Sequence, residues 1–88
     1  MTYNDLMEVA KELYEKLKNA DESYLVTQHG REKITEIEIV TIKMIKPSAP
    51  RFRITTESGA VLLLTPSQFL RKKYIIIKDG KEYKIMGE

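Results

Sequence analysis

The stretch Glu32-Lys33-Ile34-Thr35-Glu36-Ile37-Glu38-Ile39-Val40-Thr41-Ile42-Lys43-Met44-Ile45-Lys46 decides the fold. Apolar and polar residues alternate along it, the period of a β-strand with one buried face. The alternation slips once. Ile37 and Ile39 are apolar with Glu36 and Glu38 between them, whereas beyond Val40 the apolar set is Val40, Ile42 and Met44, with Thr41 and Lys43 between. A straight strand would leave one of these sets in water. One extra residue near Ile39-Val40 restores a single buried face, so a β-bulge is expected between Thr35 and Thr41. A bulge bends the strand and lets it serve two halves of a curled sheet.

Upstream, Gln28-His29-Gly30-Arg31 is a turn signal and residues 23–28 alternate as a strand. Before that, Tyr3, Leu6, Met7, Ala10, Leu13, Tyr14, Leu17 and Ala20 recur at three- and four-residue steps, which draws one apolar stripe on a helix over residues 3–20. Thr2 is placed to cap it, and Asp5 stands three residues on, at the helix's positive end.

Downstream, Pro47-Ser48-Ala49-Pro50 breaks the chain, since neither proline can donate to a ladder. Residues 51–57 follow as a strand, turned by Ser58-Gly59. Residues 60–64 are apolar on both faces, the pattern of a central, doubly covered strand. Thr65-Pro66-Ser67-Gln68 is a helix start with a capping box, and the helix is short, over residues 66–72. Residues 74–78 and 81–86 then form a hairpin around Asp79-Gly80, whose type I′ loop needs positive φ at both positions. That loop sets Ile76 opposite Tyr83 and Tyr74 opposite Ile85. Ile76 and Tyr83 are expected in the core, with Ile75 or Ile77 left partly exposed or covered by a second chain.

These elements specify one α+β domain over residues 1–88. Its N-terminal helix packs on a strongly bent, mostly antiparallel sheet, or small open barrel, of five to six strands, with a short helix before the C-terminal hairpin. Eighty-eight residues allow one thin core. There is no cysteine, which removes disulfides, thiolate metal sites and a cysteine nucleophile. No apolar run approaches the roughly 20 residues that span a bilayer, and no basic-then-apolar leader opens the chain. A cytoplasmic location with no membrane partner is the expectation by elimination. Charged residues are 32% of the chain, with lysine, isoleucine and glutamate abundant. That balance suits a thermophile and equally an AT-rich genome.

Residues 51–80 resemble a small module that accompanies primase and helicase proteins of phages and plasmids. The likeness rests on Arg53-Ile54-Thr55-Thr56-Glu57-Ser58-Gly59 as strand and tight turn, on Leu62-Leu63-Leu64-Thr65, and on Gln68 and Phe69 followed by a basic stretch. The resemblance implies an accessory protein of a virus or mobile element and carries no functional residue with it.

Charge is unevenly spread. Residues 1–42 hold five basic and nine acidic side chains, and residues 43–84 hold ten basic and three acidic. A basic half can lie along phosphates and gain affinity by counterion release. The candidates for nucleic-acid binding are Arg51, Arg53, Arg71, Lys72, Lys73, Lys78, Lys81 and Lys84, with Phe52, Phe69, Tyr74 and Tyr83 interleaved as stacking groups. The competing reading makes these solvated strand faces and core aromatics. The pI of 8.8 lies below the value typical of nucleic-acid-binding domains.

His29 has no cysteine or second histidine to share a metal with, so no metal or cofactor is expected. No phosphate loop, nucleophile elbow or HExxH motif occurs. The leading expectation is a small non-enzymatic binding or accessory protein of a phage or archaeal virus, acting on a protein or a nucleic acid. A compact toxin-type ribonuclease using His29, Arg51 and Arg53 is the enzymatic alternative. The helix stripe at 3, 6, 10, 13, 17 and 20 also suits the seam of a homodimer.

Overall fold

The structure is a computed structural model and describes residues 2–43 and 49–86. Helix α1 (Tyr3–Asn19) leads into β1 (Glu22–Thr27), β2 (Gly30–Ile42), β3 (Ala49–Thr56) and β4 (Val61–Leu64). Helix α2 (Pro66–Arg71) and the strands β5 (Lys73–Lys78) and β6 (Lys81–Ile85) complete it. The six strands form one antiparallel sheet in the order β4-β3-β2-β1-β5-β6, open at both edges and not closed into a barrel. The α+β architecture read from the sequence is the one observed.

Both helices start as their sequences dictate. Thr2 and Thr65 each accept from the backbone of the third helical residue, and Asp5 and Gln68 reach back to the cap, two reciprocal capping boxes. Ala10, Leu13, Tyr14 and Leu17 of the α1 stripe are buried against Leu25, Ile34, Phe52, Ile54, Leu64 and Tyr74 of the sheet and Phe69 of α2. The core is threaded by aromatic rings. Phe52 and Phe69 stack in parallel with centroids 4.2 Å apart, and Tyr14 and Tyr74 lean against the two ends of that pair. Such contacts add to the area each ring buries.

The long strand β2 changes partner along its length. Residues 30–33 pair with β1, and residues from Ile34 onward pair with β3. The ladder slips between Ile34 and Glu36, which leaves Thr35 as the extra residue. The bulge therefore lies within the expected window but at Thr35, not at Ile39-Val40. It moves the inward phase from Ile34 to Ile37 and Ile39, which pack on the core. Val40 and Ile42 then fall on the opposite face, half-buried. The slip in apolar pattern beyond Val40 thus marks a strand with apolar groups on both faces, not a second bulge.

Two other expectations about the strands need correction. Ala49 and Pro50 begin β3 instead of breaking the chain; a proline is tolerated near the start of a strand. Met44–Ser48, with the first proline of the pair, lie outside the described residues. Strand β4 is not central: it is an edge of the sheet, with Val61 61% and Leu63 52% exposed. A short run that is apolar on both faces does not by itself say whether both are covered.

The hairpin register is the expected one, with Tyr74 opposite Ile85, Ile76 opposite Tyr83 and Lys78 opposite Lys81. Asp79 and Gly80 have φ of 53° and 76°, as a type I′ loop requires. The burial differs. Tyr83 is 48% exposed while Ile75, on the other face, is 7% exposed. The helices pack chiefly over β1 to β4, so no helix seals Tyr83 on the edge strand β6 among the described residues. Ile77 stays half-buried, as expected.

Candidate interaction surface

The ladder registers divide the sheet's side chains between two faces. The face under the helices carries Phe52, Ile54, Leu62 and Leu64 of β3 and β4, Ile37 and Ile39 of β2, Leu25 of β1 and Tyr74 of β5. The other face has no helix over it among the described residues. It presents Val61 and Leu63 of β4, Arg51 and Arg53 of β3, Glu36, Glu38, Lys33 and Arg31 of β2, Glu22 and Tyr24 of β1, Lys73 and Ile75 of β5, and Glu82 and Lys84 of β6.

Three pairs of acidic and basic groups are matched on this open face. Lys33 Nζ lies 3.3 Å from Glu22, whose other contact is the Tyr24 hydroxyl, donating at 3.2 Å. Arg53 pairs with Glu38, directly across the β2–β3 ladder, and Glu38 Oε1 is shielded from solvent with no other partner among the described residues. Arg31 Nη1 donates to Glu82 at 2.9 Å, although β1 and β5 lie between their strands. On its way the guanidinium rests over the Tyr24 ring, 5.3 Å from its centroid. Ile75 pairs with Tyr24 in register and lies beneath this bridge. That cover explains how an isoleucine is buried on a face without a helix: arginine stems and tyrosine rings shield apolar surface while their polar tips stay wet.

Within β4, the pairing with β3 also fixes which backbone groups are used. The Thr56 amide donates to Ala60 O at 2.9 Å, and the register continues through Leu62 opposite Ile54 and Leu64 opposite Phe52. Residues alternate in direction along an antiparallel ladder. Leu62 and Leu64 therefore spend their N–H and C=O on β3, as Ala60 does its C=O, while those of Val61 and Leu63 point out of the sheet. The other edge, β6, reads Lys81-Glu82-Tyr83-Lys84-Ile85 and is guarded by charge. Strand β4 carries no charge at all.

The eight basic candidates are not gathered on one surface. Arg51 and Arg53 lie on the open face of β3, where Arg51 donates to the Pro50 carbonyl at 3.0 Å. Lys73 and Lys84 share that face but are separated from them by β2 and β1. Arg71 and Lys72 stand at the C-terminal end of α2, and Lys78 and Lys81 flank the hairpin loop on the helix side. Of the aromatics expected to interleave with them, Phe52, Phe69 and Tyr74 are fully buried in the core, and only Tyr83 is exposed. The sequence reading missed the contribution of Arg31 and Lys33 to the open face, because it assigned them to the acidic half by position along the chain.

His29 sits exposed in the β1–β2 turn, with its amide on Thr27 Oγ1 and its ring against the Gln28 amide. Arg53 lies opposite Glu38, nine residues along β2 from His29, about 30 Å of extended chain. His29, Arg51 and Arg53 are therefore not brought together. Among the described residues no group of three or more metal-ligating side chains occurs, and no helix is long and apolar enough to cross a membrane.

A groove of about 390 Å³ runs between the helices and β6, with Leu6, Val9, Leu13, Leu70, Ile85 and Met86 along its walls. It exists because the helices do not reach fully over the hairpin. A second cleft, of about 310 Å³, opens where β2 leaves β1 for β3, between Leu17, Glu22, Lys33 and Glu36.

No protein-family model matches the chain, and no solved structure matches it at a significant level. It is 50% identical over 82 residues to "Uncharacterized protein 2" of Sulfolobus islandicus filamentous virus (isolate Iceland/Hveragerdi), an alignment that spans 93% of this chain and 96% of the relative. The chain belongs to the protein family that includes this small protein of a filamentous virus.

Proposed function

We propose that this is a non-enzymatic accessory protein of a virus and that it works by binding another protein chain through strand β4 and the adjoining open face. The observation that carries this reading is the unguarded edge. Natural sheets blunt their edges with lysine, proline, bulges or cover. Strand β4 is short but has none of these among the described residues, and it offers two outward apolar side chains beside two outward pairs of backbone groups. Those are the elements of strand addition, in which main-chain hydrogen bonds supply affinity and alternate side chains supply specificity.

Protein contact is favoured over phosphate contact by the state of the cations. Arg53, Arg31 and Lys33 are each already matched with a carboxylate, and the remaining basic residues are spread over several parts of the molecule. The viral relative supports a virus-encoded protein, and the resemblance of residues 51–80 to a mobile-element module favours an accessory role.

A photo-reactive amino acid at position 63, in cells carrying the complete virus, tests the reading. The expected product is a protease-sensitive adduct to a protein. A nuclease-sensitive adduct, or none, refutes it.

A further inference from the structure

We infer that the chain bound at β4 is a second copy of this protein, paired antiparallel about a two-fold axis through Leu62, so that two six-stranded sheets join into one of twelve. This deepens the reading of β4 as a contact strand and rests on it.

The argument is one of self-complementarity. In a two-fold antiparallel pair centred on Leu62, Val61 of one copy faces Leu63 of the other, and Leu63 faces Val61. The outward backbone groups belong to these same two residues, as the Thr56-to-Ala60 hydrogen bond and the β3–β4 register require. Each Val61–Leu63 couple is then a hydrogen-bonded pair that exchanges both N–H···O=C bonds, and Leu62 meets its own copy as the non-bonded pair between them. Every outward donor and acceptor on the strand finds a mate. Centring the axis on Val61 or Leu63 instead would set the other outward residue opposite Gly59, whose amide is spent on Thr56, or opposite Thr65, whose amide is spent on Gln68, and would leave an outward carbonyl of the strand without a donor.

The side chains agree with the backbone. Val61 and Leu63 are the two exposed apolar residues of the strand, and pairing gathers four of them into one patch on the open face. No charged residue lies on β4, so the two-fold brings no like charges together across the junction. Helix α2 packs over β3 and β4, so the same axis sets the two α2 helices beside the joint on the other face. The other free edge, β6, would place Lys81, Glu82 and Lys84 against their counterparts, and is the poorer candidate.

Four residues per copy bury less than the roughly 1,200 Å² of a permanent interface, so the dimer is reversible, with a dissociation constant on the order of 10 µM or weaker.

Sedimentation equilibrium of the purified chain, up to about 1 mM, should show a concentration-dependent monomer–dimer equilibrium. Leu63→Lys, at an exposed position, should weaken association at least about tenfold while leaving Tm nearly unchanged; Val61→Lys is the alternative if that variant folds poorly. The chain has no cysteine, so Leu62→Cys introduces a single thiol. Its Cα would lie about 4.5 Å from its copy across the axis, within disulfide range. Mild oxidation should link this variant far faster than Val9→Cys on the exposed side of α1. A wild-type monomer at all concentrations overturns the proposal, as does Leu62→Cys linking no faster than Val9→Cys. If the purified chain stays monomeric while position 63 still cross-links to a different protein, the dimer is refuted and the role of β4 in protein binding stands.

Discussion

Replacing Tyr74 with phenylalanine removes one oxygen from the centre of the fold. Tyr74 is 1% exposed, and its hydroxyl donates to the Phe69 carbonyl at 2.8 Å. That carbonyl belongs to the last turn of α2, where the helix leaves its acceptors without intrahelical partners. The hydroxyl thus closes α2 from the neighbouring strand. In the variant the ring remains against Phe69, so little apolar contact is lost, but a buried acceptor is left empty. The cost should be about 1–2 kcal/mol, which for a domain of this size lowers Tm by about 5–15 °C. The pH dependence offers a second readout. Burial raises the Tyr74 pKa well above the ordinary tyrosine value. The unfolded chain therefore releases this proton near pH 10, while the folded chain still holds it. The stabilisation is complete below the unfolded pKa and is lost as pH rises beyond it, with a slope of at most about 1.4 kcal/mol per pH unit. Chemical denaturation of both proteins between neutral pH and about pH 11 should show the wild type losing its advantage above about pH 10. A Tyr74→Phe variant as stable as the wild type at neutral pH would refute the assignment of the hydroxyl to Phe69, and one with the same alkaline slope would refute its burial.

Gly80→Val places a β-branched residue at positive φ and should cost at least about 1 kcal/mol; since nothing lies within 4 Å of the added Cβ, the loss is conformational, and an unchanged melting temperature would exclude the type I′ loop. Arg53→Met should cost about 1 kcal/mol, the pair being partly exposed, because it leaves the shielded Glu38 oxygen unpaired. Adding Glu38→Gln should recover part of that loss, and a double-mutant cycle with no coupling would deny the pair any role. Deleting Thr35, the extra residue of the bulge, leaves Ile34, Ile37 and Ile39 on one face by simple alternation, so the fold should survive with a loss of at most about 1–3 kcal/mol; circular dichroism showing an unfolded chain would count against a bulge at Thr35. Gel retardation at about 50 mM salt should detect no binding of DNA or RNA. Retardation that disappears in the Arg71→Ala, Lys72→Ala, Lys73→Ala triple variant would instead favour phosphate contact.

The sequence alone determined what depends on neighbours in the chain. Thr2 with Asp5 and Thr65 with Gln68 close capping boxes within one helical turn, so the starts of α1 and α2 are readable from four residues each. Asp79-Gly80 sets the loop, and the loop sets the whole β5–β6 register. The α1 stripe names its own buried face. Tertiary structure decided what depends on which strand lies beside which. Alternation says that Tyr83 and Ile76 share a face, but only the order of the sheet makes β6 an edge and leaves Tyr83 in water. The run from Ala60 to Leu64 is apolar on both sides whether it lies inside the sheet or at its rim, and only the pairing places it at the rim. The apolar pattern of β2 pointed to a bulge near Ile39-Val40, but the bulge sits at Thr35, where the strand exchanges β1 for β3, a non-local event, and the slip beyond Val40 reflects apolar groups on both faces. Charge followed the same rule. A division by chain position separated the acidic half from the basic half, but antiparallel pairing laid Glu38 against Arg53, and an ion pair across two strands joined Arg31 to Glu82. Local chemistry chooses the elements, and long-range pairing decides which of their faces remain to meet another molecule.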